Sequence, residues 1–400
     1  MSEPAARPLP WVRRMSGRDP SEAHRASTPL ELLFDLTFVV AVARAGIELR
    51  NALVLGQAGL ALARYAEIFF GLWWAWMNFT WFASAYDTDD VPYRLLTLLQ
   101  MAGVLVFAAG IPAAFGQFDL ATVVAGYVIM RMALVTQWLR AAQGHPEGRA
   151  GTLRYAAGIT VLQLGWIGWL FLPSSAQVAG FVVLVAAELA VPAWAEFGGR
   201  PTPWHPGHIT ERYGGFTIIV LGEVIAAIAA AAQEAVDHSR ASPGLIAAAA
   251  AGLLLVFALW WLYFKHSAAE DIRQSRPWTF VWGIAHYLIF AAVAALGAGL
   301  QVVIGTLLHS SRVTPAFAAV TVAVPVTIYI VVLALLSTRR GGEPAGLWLT
   351  LLTSALILTA AAATPALTLP FSIVVMAVLV ALLLTYRLTA AHQATRQPER

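Results

Sequence analysis

The sequence predicts an all-α integral membrane protein, a polytopic bundle of about twelve transmembrane helices. Three observations predict it. Hydrophobic residues make up 59% of the 400, above the roughly 45–50% of soluble domains. Charged residues make up 12%, about half the usual quarter. Mean hydropathy is +0.70, and apolar runs of about 20 residues, enough to cross a bilayer core of about 30 Å, recur along the chain. A soluble chain this apolar could not cover its surface with polar groups. That excludes a soluble enzyme, a disordered chain and a nucleic-acid-binding protein.

The pI is near 9.3 but the net charge is only +3, so the basic surplus reads as membrane topology rather than affinity for polyanions. There is no cysteine, hence no disulfide, thiolate metal site or Cys nucleophile. Lys265 is the one lysine among 25 basic residues. With the abundant alanine, that ratio points to a GC-rich bacterial genome.

Taken in order, residues 1–28 carry Arg7, Arg13, Arg14, Arg18 and Arg25 without an apolar core. They read as a flexible cytoplasmic tail, not a cleavable signal. Twelve apolar segments follow, at 30–49, 59–84, 94–115, 120–141, 153–172, 177–197, 209–232, 244–264, 278–307, 314–337, 345–363 and 367–387. The ninth is long enough to tilt or extend past the bilayer. The last two are separated by so short a linker that a tight helical hairpin is expected. Residues 389–400 form a second cytoplasmic tail. With the N-terminus inside, 18 basic residues fall on cytoplasmic segments and only Arg50, Arg240 and Arg312 outside. That bias predicts an even number of spans with both ends inside. The Gly/Pro-rich loop 198–207 divides six spans from six, giving halves at 29–197 and 208–388. An even count per half is compatible with two parallel six-helix repeats.

Ionisable groups inside a bilayer are expensive and are the first candidates for chemistry. In the first helix Glu31 and Asp35 are four apart and share a face. Two close carboxylates repel, so one is expected to hold a proton, as a proton or cation relay would. The competing reading is an ion pair with an arginine on a neighbouring helix. In the seventh segment His208, Arg212 and Glu223 share a face, the last two about 16 Å apart. Glu223 lies deep in an apolar run and is the leading site candidate, either protonated or paired with Arg131 or Arg64. Arg131, in mid-span, cannot lose its charge and needs a carboxylate; Asp35, Glu188 and Glu223 are the candidates. It serves as a buried counter-ion or contacts a substrate anion. Arg64 and Glu67 are three apart and pair locally. His205, His208 and Glu211 have a spacing that could hold a metal, but Pro206 and Gly207 interrupt it, so no metal or other cofactor is expected. The stretch Asp87-Thr-Asp-Asp90 reads as a solvated acidic loop. There is no P-loop, GxSxG, HExxH or Rossmann fingerprint, so no enzymatic activity is expected.

Two of these motifs carry a resemblance. The run Thr28-Pro-Leu-Glu31-Leu-Leu-Phe34-Asp35-Leu-Thr-Phe38 resembles the start of the bacterial low temperature requirement A (LtrA) family. So does His208-x-x-Glu211-Arg212-x-x-x-Phe216-Thr-Ile-Ile-Val-Leu-Gly222-Glu223. Leu33 stands where the family usually has a second Phe. The resemblance covers roughly 28–390 and implies a polytopic bacterial membrane protein tied by name to growth in the cold. It supports Glu31, Asp35, Glu211, Arg212 and Glu223 as site residues without implying a substrate.

These readings converge on an ion-coupled secondary transporter of the bacterial cytoplasmic membrane. Asp35 and Glu223 would carry protons or small cations, with Arg131 and Arg212 as counter-charges and the lipid bilayer as surroundings. Two alternatives remain open. One is a cation channel, since the Phe34-Asp35 pair is similar to that of lysosomal-type potassium channels built from six-helix repeats. The other is a membrane stress or lipid-related protein with no transport, which the His205/His208/Glu211 spacing would suit best.

Overall fold

The computed structural model describes residues 11–22, 25–197, 199–237, 242–265, 272, 275–308, 313–337 and 344–396. Among these there is no strand. The long helices are α1 (Pro29–Val54), α2 (Ala58–Tyr86), α3 (Val91–Gly116), α4 (Ala121–Gly144), α5 (Arg149–Trp169) and α6 (Ser174–Glu196). They continue with α7 (Pro206–Asp237), α8 (Pro243–Phe264), α9 (Arg276–Leu307), α10 (Pro315–Ser337), α11 (Pro344–Ala362) and α12 (Leu369–Arg396). Nine of these, all except α1, α2 and α5, are long and apolar enough to cross a membrane. Of the three exceptions, α1 carries five charged residues, Glu31, Asp35, Arg44, Glu48 and Arg50.

Local chemistry explains the helix starts. Asp90 accepts from the Tyr93 amide ahead of α3, Ser242 from the Leu245 amide ahead of α8, and Ser275 from the Trp278 amide ahead of α9. Each cap is followed by a proline in the first turn, where a missing N–H costs nothing. At α1 the Thr28 hydroxyl accepts from the Glu31 amide while Glu31 accepts from the Thr28 amide. This is a reciprocal capping box. Between α11 and α12 the chain makes one helical turn, Thr364–Leu367, and reverses at Thr368, whose φ is 71°.

The chain divides into two compact units. The first comprises residues 1–41 and 70–213, the second 42–69 and 214–400. The divisions fall inside α1, α2 and α7.

In the first unit α3 and α4 pack backbone against backbone. A Cβ on Gly103 would lie 3.0 Å from Gly126 O, and one on Gly126 would lie 2.7 Å from Gly103 O. Only glycine permits that approach. An aromatic core of Trp74, Trp76, Phe79, Phe82, Trp138 and Tyr155 is buried here. In the second unit α9 packs on α10 through Gly299, beside the Thr321 backbone.

The N-terminal segment differs from the expected flexible tail. Residues 11–22 and 25–28 are docked on the first unit. The Arg18 amide donates to Ala85 O at 2.9 Å, the Arg13 amide to Asp90 at 2.8 Å and Arg14 Nε to Gly144 O at 2.8 Å. Met15 is buried. The physical reason is that α2 and α4 end with unpaired carbonyls, and arginines satisfy them while complementing the helix dipoles.

Candidate functional site

The first unit holds two buried charge clusters. The larger is built by α1, the end of α2, α3, the start of α7 and the docked N-terminal segment. The capping box that starts α1 leaves Glu31 facing inward, and Asp35 follows one turn on. Both are fully buried. Arg212 from α7 reaches both: Nη1 lies 3.1 Å from Glu31 Oε1, Nε donates to Asp35 Oδ2 at 3.1 Å, and Nη2 donates to Asp35 Oδ1. Trp76 Nε1 donates to Asp35 Oδ1 at 2.7 Å. One turn before Arg212, His208 Nε2 lies 3.1 Å from Glu31 Oε1 and 3.2 Å from Oε2. The spacing of four along each helix thus pairs Glu31 with His208 and Asp35 with Arg212.

Arg25 extends the cluster. Its guanidinium donates to Ala83 O at 2.7 Å and to Ser84 O, two carbonyls of the last turns of α2. It also lies 3.9 Å from Glu31 Oε1 and 3.8 Å from Asp87 Oδ2. The 87–90 loop is therefore not simply solvated. The side chain of Asp87 is buried, its pKa pushed up to about 6 by burial and by Glu31, partly offset by Arg25. Asp90 accepts from the Arg13 and Tyr93 amides and from Arg140 at 2.6 Å. Asp89 remains half-exposed and pairs with Arg94. Among the described residues, Tyr93 Oη, Thr80 Oγ1 and His208 Nδ1 are buried without a hydrogen-bond partner.

The smaller cluster centres on Glu188 of α6, also fully buried. It accepts from Arg131 Nη2 at 2.9 Å, Tyr127 Oη at 2.9 Å, Trp74 Nε1 at 2.8 Å and Trp166 Nε1 at 3.2 Å. Donors from α2, α4 and α5 thus converge on one carboxylate. Of the three partners expected for Arg131, Glu188 is the one it meets.

The other sequence candidates lie elsewhere. Glu211 is exposed and accepts from the Ser27 amide at 3.0 Å. It precedes Arg212 by one residue, so it points about 100° away from the cluster. Glu223 belongs to the second unit, is half-buried, and makes no ion pair or hydrogen bond among the described residues. It pairs with neither Arg131 nor Arg64, because Arg131 holds Glu188 and Arg64 holds Glu67 at 2.6 Å. The spacing of His205, His208 and Glu211 does not become a metal group among the described residues. His205 Nδ1 accepts from the His208 amide, which leaves its Nε2–H to donate to Glu22 O at 2.9 Å.

Sequence reasoning missed Arg25, Trp76, Asp87 and Tyr93 as members of the first cluster. It also missed His286 of the second unit, a buried histidine inside α9. His286 Nδ1 lies 2.7 Å from Trp282 O, so that nitrogen carries the proton, and Nε2 accepts from Tyr263 Oη at 3.0 Å. A lone histidine in so apolar a helix was a signal available in the sequence.

The family model of the bacterial low temperature requirement A protein (LtrA) matches residues 26–384, most of the chain. The chain belongs to the LtrA family. An uncharacterized protein of Rhizobium meliloti (strain 1021) is 29% identical over 303 residues, 71% of either chain. No solved structure matches. The LtrA match takes in every member of both clusters except Arg25.

Proposed function

We propose that this LtrA chain is a proton-coupled secondary transporter of the bacterial cytoplasmic membrane, with twelve spans and both ends inside. The observation that carries the reading is a charge count. The larger cluster contains three carboxylates, Glu31, Asp35 and Asp87, against two guanidiniums, Arg25 and Arg212. With a neutral His208 it carries one uncompensated negative charge. One proton, taken up among Asp87, Glu31 and His208, neutralises it. A buried group poised between two charge states is what a proton-coupled carrier requires, because an uncompensated charge is costly away from water. Asp35 is the fixed part, held by Arg212 and Trp76. Asp87, Glu31 and His208 are the exchanging part. Glu188 and Arg131, which neutralise each other, serve as a helix lock.

The test is current from purified protein in liposomes on a solid-supported membrane, with an internal pH dye, after proton, potassium and sodium jumps. Glu31→Gln and His208→Gln run beside the wild type, each first shown to unfold cooperatively. The expected result is a proton-driven binding current or pH change that both variants lose. A signal that survives in both variants, or a folded wild type silent to all three ions, overturns the reading. A sustained potassium current would replace it with the channel.

A further inference from the structure

The donors and acceptors around Glu188 do not balance. Glu188 accepts four hydrogen bonds, three of them from the neutral donors Tyr127, Trp74 and Trp166. Arg131, 1% exposed, has five N–H groups and gives one of its nitrogens, Nη2, to Glu188. Its Nε and Nη1 have no acceptor among the described residues. Gln163 of α5, 2% exposed, is likewise buried, with neither amide atom partnered among the described residues.

Two ring contacts put these groups at one level. Trp138 of α4 stacks on Tyr155 of α5 at 4.3 Å, and Tyr127 meets Trp166 at 6.1 Å. Eleven residues back along α4 thus correspond to eleven residues on along α5, so the helices run antiparallel in a fixed register. Arg131 lies four residues past Tyr127, and Gln163 lies three before Trp166. They stand within one residue of the same height, about 1.5 Å of helix rise. A guanidinium with free donors and a carboxamide with free donors and acceptor therefore stand at one level of the buried first unit, without bonding each other, and the guanidinium's carboxylate partner is already saturated.

We infer that Arg131 and Gln163 form a binding site for a small carboxylate. Three features select that class. The free atoms are mostly N–H donors, which need an oxygen acceptor. The cation is an arginine, whose planar donors suit carboxylate geometry. The Arg131–Glu188 pair is neutral, so an arriving monoanion leaves one net negative charge, which a proton taken up by the larger cluster would balance. The inference rests on the transporter reading in calling the ligand a substrate and in balancing its charge with a proton; binding is tested without transport.

The experiment is a thermal unfolding titration of the detergent-purified full chain with sodium formate and sodium acetate, using sodium chloride at equal ionic strength as control. Gln163→Leu keeps the volume and removes the amide without leaving an unpaired charge. In the wild type, formate or acetate raises the midpoint saturably while chloride does not. In Gln163→Leu the half-saturating concentration rises about tenfold or more, the loss expected for one hydrogen bond to a charged ligand. Equal responses to carboxylate and chloride, or the same titration in wild type and Gln163→Leu, would overturn the site. Proton coupling at Glu31 and His208 would stand or fall independently, on the liposome currents.

Discussion

The two units bury polar groups by opposite means. In the first, five carboxylates and guanidiniums meet around Glu31 and Arg212, and a carboxylate at Glu188 gathers donors from three helices besides its own. In the second, tyrosine hydroxyls answer backbone carbonyls. Tyr65 Oη donates to Ala291 O at 2.7 Å, Tyr287 Oη to Ala66 O at 2.9 Å, and Tyr329 Oη to Leu259 O at 3.1 Å. Its buried histidine is tied neutrally between Tyr263 and Trp282. A neutral bond to a carbonyl stitches helices and has no second charge state. A cluster of charges can change its protonation. Under the proposed function, chemistry belongs to the first unit and scaffolding to the second.

Four substitutions would sharpen or break that contrast. The largest effect is expected for Arg212→Leu, which leaves Glu31 and Asp35 buried without their cation. Removing one partner of a buried ion pair costs about 3–5 kcal/mol, so the purified variant should unfold at a much lower temperature or fail to accumulate. A loss under about 1 kcal/mol, the range of solvent-exposed pairs, would mean that water screens the cluster.

Asp87 comes next, through pH. Its folded pKa of about 6 lies above the unfolded value near 3.9. The folded state therefore holds this proton more tightly, and stability falls as pH rises from about 4 to about 6, with the full cost present above that. Two pKa units correspond to something on the order of 2–3 kcal/mol. Unfolding midpoints at pH 5 and pH 7.5 should show the fall in wild type and a flatter profile in Asp87→Asn. An identical slope in the two proteins would remove Asp87 from the cluster.

In the second unit, His286→Phe should cost about 0.5–1.5 kcal/mol by removing the hydrogen bond between His286 and the Tyr263 hydroxyl. Proton-driven currents in liposomes should persist, since a neutral stitch carries no charge. Their loss would move chemistry into the second unit. The smallest effect is expected for Arg44→Ala. Arg44 pairs with Glu48 at 2.9 Å while 42% exposed, and such i,i+4 pairs contribute about 0.3–0.5 kcal/mol. A differential thermal scan should barely register it.

Much of the charge chemistry was legible along the chain, for a stated reason. Arg131 announces itself because a guanidinium cannot discharge in an apolar span, and it requires a carboxylate somewhere. Glu31 and Asp35, or His208 and Arg212, show their shared faces through a spacing of four. Partner choice was not legible. Asp35, Glu188 and Glu223 look equivalent in one dimension, and only helix neighbours separate them. Arg25 and Asp87 were hidden for the opposite reason: they lie outside the apolar runs, where a charge is ordinarily solvated. The docking of residues 11–22 and 25–28 buries them.

By itself, then, the sequence determined that the chain is helical and apolar enough for a membrane, where its helices run, and which family it resembles. Those properties depend on composition and on periods of a few residues. The tertiary structure decided which charges meet. It joined Glu31 to His208, Asp35 to Arg212 and Arg131 to Glu188, and it gave Glu223 no partner among the described residues. These pairs are separated by 57 to 177 positions in the chain. Coulomb attraction and hydrogen bonding act over a few ångströms, so only packing of the helices could select them.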